Sequence, residues 1–267
     1  MKLYYREFGH GFPLIVLHGL YGSSDNWVTI GKELGLHFRV ILIDQRNHGQ
    51  SPHSNEHNYK VLSNDLFELF DNLQIEKANL LGHSMGGKVA MQFTIDHSEK
   101  ISSLIVVDIA PWSYLNENNS LRQSDTDHYQ ILKGLLSIPI DTISTRAEAD
   151  EKLSLWVKSE KTRQFLLKNL KREDNGSFKW RLNLPIIASN IDSLLEGINP
   201  ANNEIHCKTK TLFVKGGLSN YIPYDRVEEI KKIFSESKLV TIGEAGHWVH
   251  AEKPTDFLIA INHFLNH

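Results

Sequence analysis

The sequence predicts an α/β fold: a mostly parallel, doubly wound sheet with a helical segment inserted late in the chain. Short apolar bursts alternate with amphipathic segments through the first half. A polar stretch with helical periodicity follows, and apolar bursts then resume.

The first bursts are Leu14-Ile-Val-Leu-His18, Val40-Ile-Leu-Ile-Asp44, Asn79-Leu-Leu-Gly82 and Leu104-Ile-Val-Val-Asp108. Each is a near-continuous run rich in Val, Ile and Leu, as a strand covered on both faces requires. Between them, Leu62, Leu66, Leu69, Phe70 and Leu73 recur at helical spacing and form one apolar stripe, and Val89–Phe93 carries another. From Ser113 to Glu204 the chain turns polar, with helical patterns over Thr145–Lys158, Glu160–Lys171 and Pro185–Gly197 and almost no strand-like run. Strand signals return at Thr211–Val214 and Lys238–Ile242, before a last helix at Asp256–Leu265. The division that follows is a core of residues 1–112 and 205–267, with 113–204 inserted as a helical cap. Insertions of this kind leave the carboxyl ends of the strands, where open α/β sheets bind ligands, so the cap reads as a lid.

Composition removes several classes of function. Lys and Arg number 29 against 32 Asp and Glu, a net charge of −3, which gives no electrostatic reason to expect nucleic acid or an anionic membrane as partner. A hydrophobic fraction of 40% and a charged fraction of 23% are those of an ordinary globular enzyme rather than a disordered chain. The single cysteine, Cys207, cannot form an intrachain disulfide, and it lies in polar sequence with no base pattern around it. Together with the lack of any apolar window of signal-peptide or membrane-spanning length, this places the expected location in the cytoplasm.

Three motifs carry chemistry. Gly82-His83-Ser84-Met85-Gly86 is a G-x-S-x-G between an apolar strand and a helical stripe, so Ser84 sits on a sharp turn as a nucleophile with a helix N-terminus behind it. His18-Gly19-Leu20 closes an earlier strand. A developing oxyanion needs two donors, for which the Met85 and Leu20 backbone N–H groups are the candidates. His18 itself reads as organising that loop and bordering the substrate. Ala245-Gly246-His247-Trp248 follows the last strand and puts His247 where a general base must reach Ser84; His250 is the nearby rival. Among the aromatic residues Tyr21, Trp112, Tyr114, Trp180 and Trp248, the two that neighbour site residues, Tyr114 and Trp248, are candidates for contact with substrate. The basic residues of the cap (Lys158, Lys161, Arg163, Lys168, Lys171, Arg172) read as a solvated face, with reception of a coenzyme A leaving group as the alternative.

These motifs, with Asp44-Gln-Arg-Asn-His-Gly-Gln-Ser51, Gly82-His-Ser-Met-Gly-Gly-Lys88, Val107-Asp-Ile-Ala-Pro111 and Gly246-His-Trp-Val-His-Ala-Glu-Lys-Pro254, resemble those of the α/β-hydrolase superfamily over the whole chain. Within it the chain is similar to the bacterial YbfF-type esterases and their mitochondrial relatives. The resemblance implies hydrolysis of a small-molecule ester or thioester through an acyl-enzyme, without metal or organic cofactor. It also implies that the Asp44–Ser51 turn shapes the loop beside the site rather than reacting. A serine at the elbow argues against haloalkane dehalogenase and epoxide hydrolase chemistry, which uses a carboxylate there. C–C bond hydrolysis, small-substrate peptidase activity and a non-catalytic ligand-binding role stay open on the same framework.

In most of the superfamily the third triad member stands four residues before a proline in the loop after the seventh strand. Here that loop reads Gly216-Gly-Leu-Ser-Asn-Tyr-Ile-Pro223, so Ser219 holds the place and no carboxylate does. Asp225 fits better as a first-turn residue of the next helix. The resembling esterases place their acid at the end of the strand following the nucleophile's helix, which assigns the role to Asp108.

Overall fold

The structure is a computed structural model, described for residues 1–115, 127–198 and 206–266. In chain order the core elements are β1 (Tyr5–Phe8), β2 (Pro13–Leu17), α1 (Val28–Leu34), β3 (Arg39–Ile43), α2 (Tyr59–Asn72), β4 (Ala78–His83), α3 (Met85–Asp96) and β5 (Ile101–Val107). The inserted segment forms α4 (His128–Ser137), α5 (Arg146–Ser154), α6 (Glu160–Leu167), β6 (Leu170–Arg172), β7 (Phe178–Trp180), α7 (Leu184–Ser189) and α8 (Ile191–Leu195). The core then resumes with β8 (Lys210–Gly216), α9 (Val227–Ile233), β9 (Ser237–Ile242), α10 (Val249–Glu252) and α11 (Pro254–Asn266). The expected end of the insertion, between residues 204 and 205, lies outside the described residues.

The main sheet has seven strands in the order β1-β3-β2-β4-β5-β8-β9, parallel except where β1 pairs antiparallel with β3. Its apolar runs are continuous because both faces are covered. On β2, Ile15 and Leu17 pack into the same cluster as Leu66, Phe70 and Val89 of α2 and α3, whereas Leu14 and Val16 pack with Ile30, Leu34, Phe257 and Ile261 of α1 and α11. Successive strand residues point to opposite faces, so one run feeds both clusters.

Three local readings needed correction. The edge strand β1, Tyr-Arg-Glu-Phe, is half exposed and carries no apolar run to announce it. The expected helix Glu160–Lys171 ends at Leu167, and Leu170–Arg172 pairs with Phe178–Trp180 as a hairpin whose turn uses Gly176 at φ +87°. The expected helix Pro185–Gly197 is broken at Asn190 into α7 and α8.

Candidate active site

The elbow at the end of β4 forces Ser84 into φ +51°, ψ −121°, a conformation that costs a residue with a side chain on the order of 1–3 kcal/mol. The backbones crossing there are too close for side chains. A Cβ on Gly82 would lie 2.2 Å from the Gly86 carbonyl oxygen, and one on Gly86 2.5 Å from that of Leu17. The Ser84 N–H donates to the Val107 carbonyl at 3.0 Å, tying the nucleophile's turn to the end of β5.

One residue beyond β5, Asp108 is fully buried and also has positive φ, +50°. Its N–H donates to Val214 O at 2.8 Å, which pins the turn to β8. Its Oδ1 accepts from the Gly216 N–H at 2.9 Å, and its Oδ2 accepts from His247 Nδ1 at 2.8 Å and from the Ser219 hydroxyl. Ser219, standing where the superfamily usually has its acid, is thus a donor to Asp108. Asp225 is exposed in the first turn leading into α9.

The His247 ring is stacked on Tyr221, with centroids 4.2 Å apart at 25°, and its backbone carbonyl accepts from His83 Nε2 at 2.8 Å. With Nδ1 committed to Asp108, Nε2 is the nitrogen left to take a proton. Ser84 and His247 line the same cavity, and no hydrogen bond joins the Ser84 hydroxyl to the His247 ring. Such bonds commonly tighten only when substrate is bound.

Across the cavity, the loop after β2 is held by buried polar groups. His18 contacts the Gly19 carbonyl through Nδ1 at 2.8 Å and accepts from the Gln45 N–H through Nε2 at 3.0 Å. The Tyr21 N–H donates to His48 Nε2 at 3.3 Å. Among the described residues no acceptor takes the N–H of Leu20 or of Met85. The Asp44–Ser51 turn supports this loop: Asp44 accepts from the Ser24 N–H at 2.6 Å and the Gln50 N–H at 2.8 Å, and Arg46 is bidentate on Asp65.

The cavity brings together His18, Leu20, Tyr21, Ser84, His247 and Trp248 from the residues singled out in the sequence. Tyr114 does not line it and is corrected as a substrate contact. Its hydroxyl accepts from the Ala110 N–H at 2.9 Å and donates to the Tyr221 carbonyl at 2.8 Å, bracing the Asp108 turn. His18 borders the cavity with both ring nitrogens spent on the loop, so it offers substrate only a surface. His250 is buried and stacked on Trp27 at 3.9 Å and 10°, a packing residue. Sequence reasoning gave no role to His83, the variable position of the elbow motif, and missed Trp27, His128, Ile131, Phe165, Leu166 and Tyr221, which carry no local motif and meet only in the fold.

Burial makes the histidine cluster a liability in acid. Desolvation lowers His18 to about 4 and His48 and His250 to about 3, and pushes His57 and His83 well below the ordinary value of 6.5. Below pH 6.5 the unfolded chain binds protons that the native state refuses, so stability falls as pH falls toward about 4. Each such histidine subtracts up to about 1.4 kcal/mol per pH unit in that window. Urea midpoints should therefore drop steeply between about pH 7 and pH 5; a flat profile would mean the rings are already charged in the native state.

A family model described as "alpha/beta hydrolase fold" matches residues 13–254. The chain belongs to the α/β-hydrolase fold family. Within this family it is 34% identical to the esterase YbfF of Escherichia coli, over 95% of this chain and 93% of that one. It is 38% identical to a Danio rerio protein named sn-1-specific diacylglycerol lipase ABHD11, over 96% of this chain and 79% of the relative. A solved structure named marine microorganism esterase superposes with a TM-score of 0.93 at 42% identity, covering 98% of this chain and 99% of the other.

Proposed function

We propose that this α/β hydrolase is a carboxylesterase-type serine hydrolase that cleaves small-molecule esters through an acyl-enzyme on Ser84. The observation that carries the reading is the 2.8 Å bond from His247 Nδ1 to the buried Asp108 Oδ2, on a cavity that also holds Ser84. Asp108 fixes the tautomer of His247, whose Nε2 takes the Ser84 proton as Oγ attacks the ester carbonyl. The N–H groups of Leu20 and Met85 receive the oxyanion. His247 protonates the leaving alcohol, and water activated by the same ring then releases the acid.

Residues 113–204 act as a cap on a core of 1–112 and 205–267. Ile131 of α4 and Thr162, Phe165 and Leu166 of α6 form cavity wall, and Phe165 packs 5.2 Å from the Trp248 ring. Lys161 of α6 reaches Glu252 of α10 at 3.2 Å, fastening cap to core beside His247. Three of the six cap cations are held by carboxylates, Lys161 by Glu252, Arg163 by Asp150 and Lys171 by Glu173, which favours esters over acyl-coenzyme A. Among the described residues no helix is long and apolar enough to cross a membrane, and the one thiol, Cys207, is free and buried; we place the enzyme in the cytoplasm.

Purified protein assayed on p-nitrophenyl esters from acetate to palmitate, alongside acyl-coenzyme A thioesters and peptide anilides, tests this. Turnover of the esters with an initial burst of nitrophenol is expected. Cleavage of the anilides or thioesters without ester turnover would overturn the assignment.

A further inference from the structure

Three polar atoms on residues that line the cavity are buried and have no hydrogen-bond partner among the described residues: the Tyr21 hydroxyl, His128 Nδ1 and His250 Nδ1. The His250 ring is stacked on Trp27, which leaves Tyr21 and His128 as the pair. The two rings are neighbours, with centroids 5.8 Å apart at 45°. A buried group left unsatisfied costs about 1–3 kcal/mol, a cost that functional sites commonly retain.

Neither side chain is loosely held. Tyr21 is 3% exposed and sits at φ +62°. Its N–H is bonded to His48, and its carbonyl accepts from Asn169 Nδ2 at 2.7 Å. Its backbone groups are satisfied and its backbone is strained, while its hydroxyl is left over. It directly follows Leu20. His128 opens the ten-residue helix α4, whose first turn is fixed by Asp127 accepting from the N–H groups of Tyr129 and Gln130 at 3.0 and 3.3 Å. The pair therefore comes from both halves of the molecule, one ring from the loop beside the proposed oxyanion site and one from the inserted segment.

The surroundings define what the pair can bind. Among the described residues no Asp, Glu, Lys or Arg lines the cavity. Burial lowers His128 to about 4, with a further contribution from His247, and pushes the Tyr21 phenol up, so both are neutral at physiological pH. A phenol donates and accepts, and a neutral imidazole nitrogen does one or the other. A hydroxyl, which also does both, can satisfy the two atoms together. A carboxylate would have to be desolvated with no cation among the described lining residues, and Asp127, the carboxylate that acts on both rings, already accepts from the first turn of α4.

We propose that Tyr21 and His128 form a polar subsite that binds a hydroxyl group on the substrate, making the preferred substrates uncharged hydroxy-esters rather than plain alkyl esters. This inference rests on the reading of Ser84 as an ester-cleaving nucleophile, and it holds for a hydroxyl on either the alcohol or the acyl side. Tyr21 and His128 are then specificity-determining residues for that reaction.

The test compares kcat/KM for ethyl butyrate, 2-hydroxyethyl butyrate and ethyl 3-hydroxybutyrate in the wild type, Tyr21→Phe and His128→Leu. One hydroxy-ester should exceed ethyl butyrate by about tenfold or more, the discrimination expected when its absence leaves buried polar groups unpaired. Which one does so tells whether the subsite faces the alcohol or the acyl group. That ratio should fall most of the way to unity in both variants. Because each ratio is read within one preparation, partial loss of folded enzyme does not move it. A wild-type ratio under about twofold for both hydroxy-esters, or a ratio kept in either variant, overturns the subsite. Failure of the ester-hydrolase reading looks different: ethyl butyrate is then not hydrolysed by the wild type at all.

Discussion

Ser84→Ala is expected to lower ester turnover by about 10⁶ while leaving the fold intact. The size follows from the architecture. The elbow is a single site, set by Gly82 and Gly86 where strand and helix cross within reach of the Leu17 carbonyl, and no second hydroxyl occupies that turn. Alanine removes one oxygen from a residue only 8% exposed and keeps the Cβ that the turn already accommodates at φ +51°. Folding should be spared, so urea midpoints measured beside the kinetics should coincide with those of the wild type. Residual kcat within about tenfold of the wild type would remove Ser84 from the mechanism.

Asp108→Asn is the second large effect, an expected loss of about 10⁴ in kcat with little change in KM. Asp108 Oδ2 faces His247 Nδ1 at 2.8 Å, so His247 must carry its proton on Nδ1 and present a bare Nε2. An amide NH₂ in the same place donates where the carboxylate accepted, reverses the tautomer and removes the charge that stabilises the imidazolium. The Gly216 N–H keeps Oδ1 as its acceptor, and the Ser219 hydroxyl, which shares Oδ2 with His247, can turn to accept from the new NH₂, so the turn between β5 and β8 should survive. Asp225→Asn, on an exposed first turn, serves as the control and should retain near-wild-type kcat. The opposite pattern would make Asp225, and not Asp108, the carboxylate that serves His247.

Much of the arrangement was legible because it is local. Strands covered on both faces must be apolar through their centres, and Leu14–Leu17, Val40–Ile43, Leu80–Leu81, Leu104–Val107 and Leu212–Val214 are. The elbow must place glycine two positions from the serine on each side, because backbone atoms occupy the space a Cβ would fill. The proximity of Asp108 to His247 was legible in part: Ser219 stands at the superfamily's usual acid position, and the Val107-Asp-Ile-Ala-Pro111 stretch offered a carboxylate at the same edge of the sheet. What the sequence hid is what depends on distant partners. Tyr114 sits six residues beyond Asp108 near the strand end, yet its ring turns to Tyr221 and braces the Asp108 turn instead of the cavity. The His247 ring is stacked on Tyr221, in the loop after β8, and the cavity is closed by Phe165 and His128 from the insertion. None of these sits in a motif, and only the chain's path over the carboxyl ends of the strands brings them together. Likewise β1 and the β6–β7 hairpin are short, partly exposed pairings that periodicity does not mark.

The central claim is that Ser84 becomes covalently acylated, and trapping that bond tests it most directly. Wild-type protein and Ser84→Ala are each treated with an alkyl fluorophosphonate, and intact mass and the modified peptide are read by mass spectrometry. The account predicts one adduct per chain, on Ser84 within Leu80-Leu-Gly-His-Ser-Met-Gly-Gly87, and an unmodified variant. A folded wild type that stays unlabelled, or an adduct that persists in Ser84→Ala, would contradict it.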